Sequence, residues 1–286
     1  MEHLKIPASQ FLDTMLSLPM APETLLAYFL LGVLRFAPIV ALAPFLGAKV
    51  MPMPVRAGFA FLLSAVFLPT ILSYSSGNLN IGTSFIGYLL KEVGVGFVFA
   101  FLASIPFFMV QSSGIIIDFM RGSSQLMAQD PTMQNQVSSI GILYNYILIY
   151  MFFQLDGMLL FFDAIQTSFE LIPVDRFVPK EFFSLNREPY LFFSTILGKI
   201  FALAIQLGSP CILAILMAEF FLGIANRLAP QVQIAFLGMS LKSLMALFLL
   251  WLGWQFILKN VILESLNFIK NVNALAENLI RISQLN

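Results

Sequence analysis

DFMRGSSQLMAQDPTMQNQ, residues 118–136, is a polar stretch rich in glutamine and methionine, set between two apolar runs. Residues 93–117 before it carry no charge, and residues 131–155, which begin inside it, carry none either. About 20 apolar residues suffice to cross the hydrocarbon core of a bilayer, so the stretch joins two membrane-competent segments. Asp118, Arg121 and Asp130 are ionisable, while Gly122 and Pro131 discourage a continuous helix. Backbone of this kind survives at membrane depth only where protein buries it or a water-filled cavity bathes it. Outside the membrane it is an ordinary loop, and local composition leaves both readings open.

The composition places the rest of the chain around that loop. Of 286 residues 59% are hydrophobic and only 10% charged, whereas an ordinary soluble domain carries about 25% charged residues. A polytopic, all-α membrane protein follows. The 15 basic residues balance the 15 acidic ones, so no basic surface points to nucleic acid and no acidic tail to a disordered partner. Cys211, the single cysteine, sits in an apolar run as a small core residue would and cannot form an intrachain disulfide. His3 is the single histidine, which leaves a histidine metal site or a catalytic triad little to use. The first 20 residues mix acids with Lys5 and lack the pattern of a cleaved signal peptide.

Working outward, Pro22–Gly47 is the first apolar segment, opened by Pro22-Glu23 and interrupted by Arg35, Pro38 and Pro44. A guanidinium in mid-segment costs about 2.5–3.5 kcal/mol on insertion scales, so Arg35 should face a polar interior, a partner or a headgroup. Lys49 to Arg56, KVMPMPVR, reads as a hairpin tip, Ala57–Tyr74 as the second segment and Ser75–Asn80 as a turn. The third segment, Ile81–Ile117, is overlong and contains Lys91 and Glu92, neighbours that a helix points apart. In it Gly96, Ala100 and Ser104 form a small-residue stripe on which another helix can approach closely, and Pro106 is expected to kink it.

Beyond the loop, Val137–Phe162 forms a fourth segment with Asp156-Gly157 near its end. Residues 163–189, with Pro173, Pro179 and most of the local charge, read as an extramembrane linker between an N-terminal half, 1–162, and a C-terminal half, 190–286. Tyr190–Ala218 is the fifth segment, Glu219–Gln231 a turn, and Val232–Leu258 the sixth, with Trp251 and Trp254 where interfacial tryptophans commonly lie. In the tail, Ile262, Leu266, Ile269, Val272, Leu275, Leu279 and Ile282 recur at helical steps, which predicts an amphipathic helix. Lys49, Arg56, Arg121 and Arg227 are nearly matched by Arg176, Lys180 and Arg187 on the opposite side, so the positive-inside rule selects no orientation. Prolines, mid-segment charges and overlong segments point to helices packed on protein rather than lipid.

No phosphate loop, dinucleotide fingerprint, zincin motif or nucleophile elbow appears in a fitting context, so an enzyme is not expected and no cofactor or metal is called for. Asp118, Asp130, Asp156 and Glu219 stand singly, as gate or proton-relay residues do. Three blocks then carry a family resemblance: LRFAPIVALAPFLGAKVMPMPVRAG at 34–58, GIIIDFMRGSSQLMAQDPTMQNQ at 114–136, and GIANRLAPQVQIAFLGMSLK at 223–242, whose Asn226-Arg227 to Pro230-Gln231 run is the most specific. In these blocks the chain resembles the T subunit of the bacterial type III secretion export apparatus, itself similar to FliR of the flagellar export gate. The Asp118, Arg121, Gly122 pattern looks closer to the injectisome form than to the flagellar one.

The resemblance implies an all-α protein of helical hairpins with broken and kinked helices, its N-terminal half built like a P subunit and its C-terminal half like a Q subunit. It implies a multi-pass protein of the bacterial inner membrane, partly displaced toward the periplasm. One copy would assemble with P-, Q- and S-type subunits (FliP-like, FliQ-like and a small membrane protein) and a U-type, FlhB-like subunit. Unfolded secreted proteins would pass through the assembly. By position the family's channel plug maps onto about residues 120–134, with Asp118, Met120, Arg121, Gly122, Gln125, Met127, Gln129, Asp130, Pro131, Met133 and Gln134 as its candidates. Methionines seal around varied shapes, and glutamines hydrogen-bond without adding charge. Arg35, Pro44, Arg56, Gly96, Ala100, Asn226, Arg227, Pro230 and Gln231 are candidates for assembly and packing. A secondary transporter using Arg35, Lys91, Asp118 and Asp156 is the alternative, and a purely structural assembly factor a third reading.

Overall fold

Among the described residues the computed structural model has seven α-helices of four turns or more and no strand. It describes residues 21–47, 50–75, 79, 82–122, 138–177, 188–228, 234–257, 259–260 and 263, with backbone alone at 83–84, 188–193, 196 and 234–237. The expected all-α class is thus what the chain adopts.

Helix α1, Pro22–Leu42, begins with a proline in its first turn and Glu23 beside it, where a missing N–H costs nothing and a carboxylate meets the positive end of the helix dipole. It ends before Pro44, which opens a short 3-10 turn, Pro44–Leu46, closed by Gly47 at φ 77°. Helix α2, Met53–Tyr74, again starts on prolines, Pro52 and Pro54, and packs back on α1. Helix α3, Thr83–Met120, runs 38 residues; at 1.5 Å per residue it is about 57 Å long, nearly twice the thickness of a hydrocarbon core. Helix α4, Ser139–Gln154, and α5, Gly157–Leu171, follow. They are separated at Leu155-Asp156, where Asp156 takes φ 55°. The expected fourth segment is therefore two helices rather than one. Helix α6, Glu188–Leu228, has 41 residues, and α7, Ile234–Leu252, packs along it.

Two further local readings change. Residues 163–171, the opening of the charged stretch, are helical. The reason is a buried stripe of Phe161, Ile165, Ser168 and Phe169, while Asp163 and Glu170 face outward. The turn expected at 219–231 begins later, because α6 continues to Leu228. Phe220, Phe221 and Leu222 offer no breaker before Ala229-Pro230.

The described residues form two compact units. The first lies within Met1–Ser104 and Asp156–Asn186, the second within Ile105–Leu155 and Arg187–Lys270. An aromatic cluster fills the first: Phe36 sits 5.3 Å from Phe67 and 6.0 Å from Phe169, and Phe45 meets Phe161 edge-on at 4.9 Å. In the second, Phe107 contacts Phe152 at 5.8 Å, and the buried Cys211 thiol lies 3.6 Å from the Ala246 carbonyl between α6 and α7. Large side chains such as Leu26, Val66, Phe97, Phe201, Phe220 and Trp251 stay exposed. Four helices or helix parts, Pro22–Leu42, Met53–Tyr74, Phe85–Met120 and Leu197–Leu228, are long and apolar enough to cross a membrane, and α4 with α5 forms a further, broken candidate. The exposed apolar side chains on them suit lipid or neighbouring subunits, and the chain is a membrane protein.

Candidate functional site

Arg35 is the charge the apolar α1 segment has to accommodate, and the first unit accommodates it completely. Its guanidinium is fully buried, as is the Glu92 carboxylate facing it from α3. The pair is bidentate, Nε to Oε2 at 2.5 Å and Nη2 to Oε1 at 3.0 Å. Nη1 donates to the Ser168 carbonyl at 3.1 Å and its hydroxyl at 3.2 Å, and Nη2 also donates to the Ile172 carbonyl at 2.7 Å. The five donors of the fork are all directed at acceptors. Phe169 lies against it, 4.1 Å from ring centroid to Cζ. The Ser168 and Ile172 acceptors lie at the end of α5, where the helix dipole favours a cation; the Ser168 carbonyl also accepts the Ile172 amide at 3.0 Å.

Lys91 completes the cluster. Its ammonium is 2.7 Å from Glu92 Oε1, which corrects the expectation that these neighbours point apart. The reason is length: a four-carbon stem bends back from its own face to reach a carboxylate that is itself drawn inward by Arg35. The same ammonium donates to the carbonyls of Pro173, Val174 and Arg176 at 2.7, 3.1 and 2.8 Å. Close approach makes this geometry possible. A Cβ added at Gly96 would fall on the Arg35 carbonyl oxygen, Ala100 is fully buried, and Ser104 donates to the Leu42 carbonyl at 3.3 Å. The small-residue stripe thus lies against α1. Pattern reading singled out Arg35 but not Glu92 or Ser168. The available signal was charge balance, since a buried cation between apolar neighbours needs a buried anion and few acids lie within apolar segments.

The second cluster sits at the root of the polar loop, in the second unit. Asp118, 3% exposed, accepts from the Ser138 hydroxyl at 2.5 Å and the Ile140 amide at 3.0 Å through Oδ2. Its Oδ1 meets Arg121 Nε at 2.7 Å. Ser138 in turn accepts from the Gly141 amide at 2.9 Å as the N-cap of α4. A carboxylate in the last turn of α3 opposes that helix's dipole. Here the free amides of α4 and the Arg121 charge offset this, so Asp118 ties the end of α3 to the start of α4. Arg121 also reaches Ser243 Oγ of α7 at 3.3 Å. Asp118→Asn places an amide N–H against either Arg121 or the Ile140 amide, both donors, and is expected to lower the stability of the second unit by about 1.5–3 kcal/mol, the range for a hydrogen bond to a charged group. Denaturant unfolding checks this, and a loss below about 0.5 kcal/mol would show the tie to be incidental.

The other candidates are dispersed. Met120 is half-buried, and Gly122 adopts φ 98°, a left-handed conformation that only glycine takes without strain. Gln125, Met127, Gln129, Asp130, Pro131, Met133 and Gln134 lie outside the described residues, as do Pro230, Gln231 and the 264–286 tail. Pro44 and Arg56 are half-buried at the two ends of the α1–α2 connection, whereas Asn226 and Arg227 are exposed near the end of α6. Asp156 is exposed at the α4–α5 break. Glu219 is not solitary, because Lys242 of α7 pairs with it. Among the described residues no group of three His, Cys, Asp or Glu side chains gathers as a metal site.

Helices of membrane-spanning length that carry satisfied charges in their interior define a polytopic membrane protein whose polar groups face protein. A family model described as bacterial export proteins, family 1, matches residues 26–266, and the chain belongs to that family. All three sequence blocks lie within the match. Surface presentation of antigens protein SpaR of Shigella flexneri is 28% identical over 222 residues, 76% of this chain and 81% of the relative. Yop proteins translocation protein T of Yersinia pestis is 32% identical over 160 residues, 56% and 60% of the two chains. Flagellar biosynthetic protein FliR of Bacillus subtilis is 28% identical over 252 residues, 86% and 95%. The resemblance to the T/FliR-type export-apparatus subunit stands on these matches.

Proposed function

We propose that this chain is a non-catalytic core subunit of a type III secretion export gate, forming part of the inner-membrane channel for unfolded proteins. The observation that carries this reading is the family match, which runs through residues 26–266 and so includes the polar loop. The names of its relatives speak of secretion-related translocation and of flagellar biosynthesis. Residues 120–134 act as the plug. Their methionines and glutamines supply an adaptable, uncharged seal, and the Asp118 tie sets where the loop leaves α3 and rejoins α4. The N-terminal half plays the part of a P subunit and the C-terminal half that of a Q subunit. A single copy assembles with P-, Q-, S- and U-type subunits, part of the complex standing toward the periplasm.

The clustered charges weigh against a solute transporter. Arg35, Lys91 and Glu92 are engaged by one another and by main-chain carbonyls, so a solute would have to displace bonds already made. The decisive experiment replaces residues 123–134 by a short Gly-Ser linker in the assembled complex and measures ion conductance in planar bilayers. Conductance is expected to rise at least tenfold with assembly unchanged. Unaltered conductance in correctly assembled complexes would remove the plug.

A further inference from the structure

We infer that the Lys91 ammonium occupies a monovalent-cation cage, and that Lys91 acts as a tethered cation fixing the turn after α5. Four oxygens converge on one point: the Pro173, Val174 and Arg176 carbonyls at 2.7, 3.1 and 2.8 Å, and Glu92 Oε1 at 2.7 Å. Three come from the main chain of a single turn. Carbonyl oxygens arrayed in this way are the means by which proteins replace the hydration shell of potassium. Lysine is the side chain that brings a compact point charge with rotating donors to such a site, whereas a planar guanidinium could not satisfy oxygens on several sides.

Charge balance supports the assignment. Arg35 and Lys91 face Glu92 and the buried Asp175, which acts electrostatically on the same ammonium. Two positive groups thus meet two negative ones, and the Lys91 side chain is only 6% exposed. Truncating Lys91 leaves a net negative charge in a carbonyl-lined space of ammonium size. Such a space favours a small cation over water. The turn it holds carries Phe177, which stacks on Tyr88 of α3 with centroids 4.6 Å apart, so the cation sets the path by which the chain leaves α5.

The test is chemical rescue. Lys91→Ala, in the full chain within its complex, is unfolded thermally in chloride salts of choline, lithium, potassium and ammonium at equal ionic strength. The variant is expected to lose several degrees in choline and to recover most of them in potassium or ammonium but not in lithium, which is too small for the cage. Lys91→Met, whose thioether and methyl fill the space without charge, is expected to show the loss and no ion dependence. Equal midpoints in all four salts would overturn the cage, and so would a Lys91→Ala chain that fails to fold in potassium and ammonium alike. Rescue of Lys91→Met by the same ions would overturn it too, because the effect would then not need the vacated site.

Discussion

Glu92→Ala is expected to destabilise the first unit by about 3–5 kcal/mol, the range for removing one partner of a buried ion pair. The substitution strands two cations, since Arg35 and Lys91 both rest on the Glu92 carboxylate. Arg35 cannot turn to water: it is fully buried and its remaining donors stay fixed on Ser168 and Ile172. Glu92→Gln keeps the shape and is expected to cost less, though its amide N–H group cannot accept from the guanidinium. The double change Arg35→Met with Glu92→Ala should fall well short of the sum of the single effects, because the buried guanidinium is gone and Lys91 keeps Asp175 as its counter-charge. Unfolding of the purified complex measures all of these. A Glu92→Ala loss below about 1 kcal/mol would mean that water or another anion reaches the cluster.

The second large effect lies at the loop root. A Cβ built on Gly114 would collide with the backbone of Gly141, with the Ile140 carbonyl carbon also only 2.7 Å away. Backbone cannot rotate aside as a side chain can. Gly114→Leu therefore has to part α3 from α4, which breaks the Asp118 bonds to Ser138 and Ile140 at the same time. Overpacking costs about 1–3 kcal/mol, and losing charge-assisted bonds places this variant at or above the upper end. Its backbone amides at 138–142 are expected to exchange hydrogen faster than in the parent. Unchanged exchange there would show that the two helices can separate without loosening the root.

Much of the helical architecture was legible because membrane helices announce themselves in composition. The start at Pro22 follows from a missing N–H group and needs no tertiary information, whereas α1 stops at Leu42 instead of running to Gly47 and α2 begins at Met53, inside the expected hairpin tip. Harder to see was the α4–α5 break: Asp156-Gly157 is a turn dipeptide, but it lies in a long apolar run, and the turn rests on the positive φ of Asp156. The clusters divide in the same way. Arg35 stood out because a charge in an apolar run is costly wherever it ends up, but its partner is 57 residues away and its other acceptors include main-chain carbonyls. Helical spacing rules speak only of neighbours three and four apart. They allow Asp118 and Arg121, three apart, to meet, although Asp118 reads as a solitary carboxylate in the sequence, and they could not supply Ser138, Ile140 or Ser243. Lys91 and Glu92 misled the same rules, because burial bends adjacent side chains onto one point.

The order in which the Arg35 cluster is completed bears on how the chain is made. Synthesis runs from the N-terminus, so Arg35 enters the bilayer well before Glu92, and both precede Ser168, which lies 133 residues beyond Arg35. Until residue 176 has emerged, Lys91 lacks the last of its carbonyls. Every nascent or truncated form short of that point carries polar groups that lipid cannot satisfy. A chain cut short of residue 176 would therefore leave these groups without the partners the folded unit gives them, at the cost that unsatisfied polar groups carry in hydrocarbon.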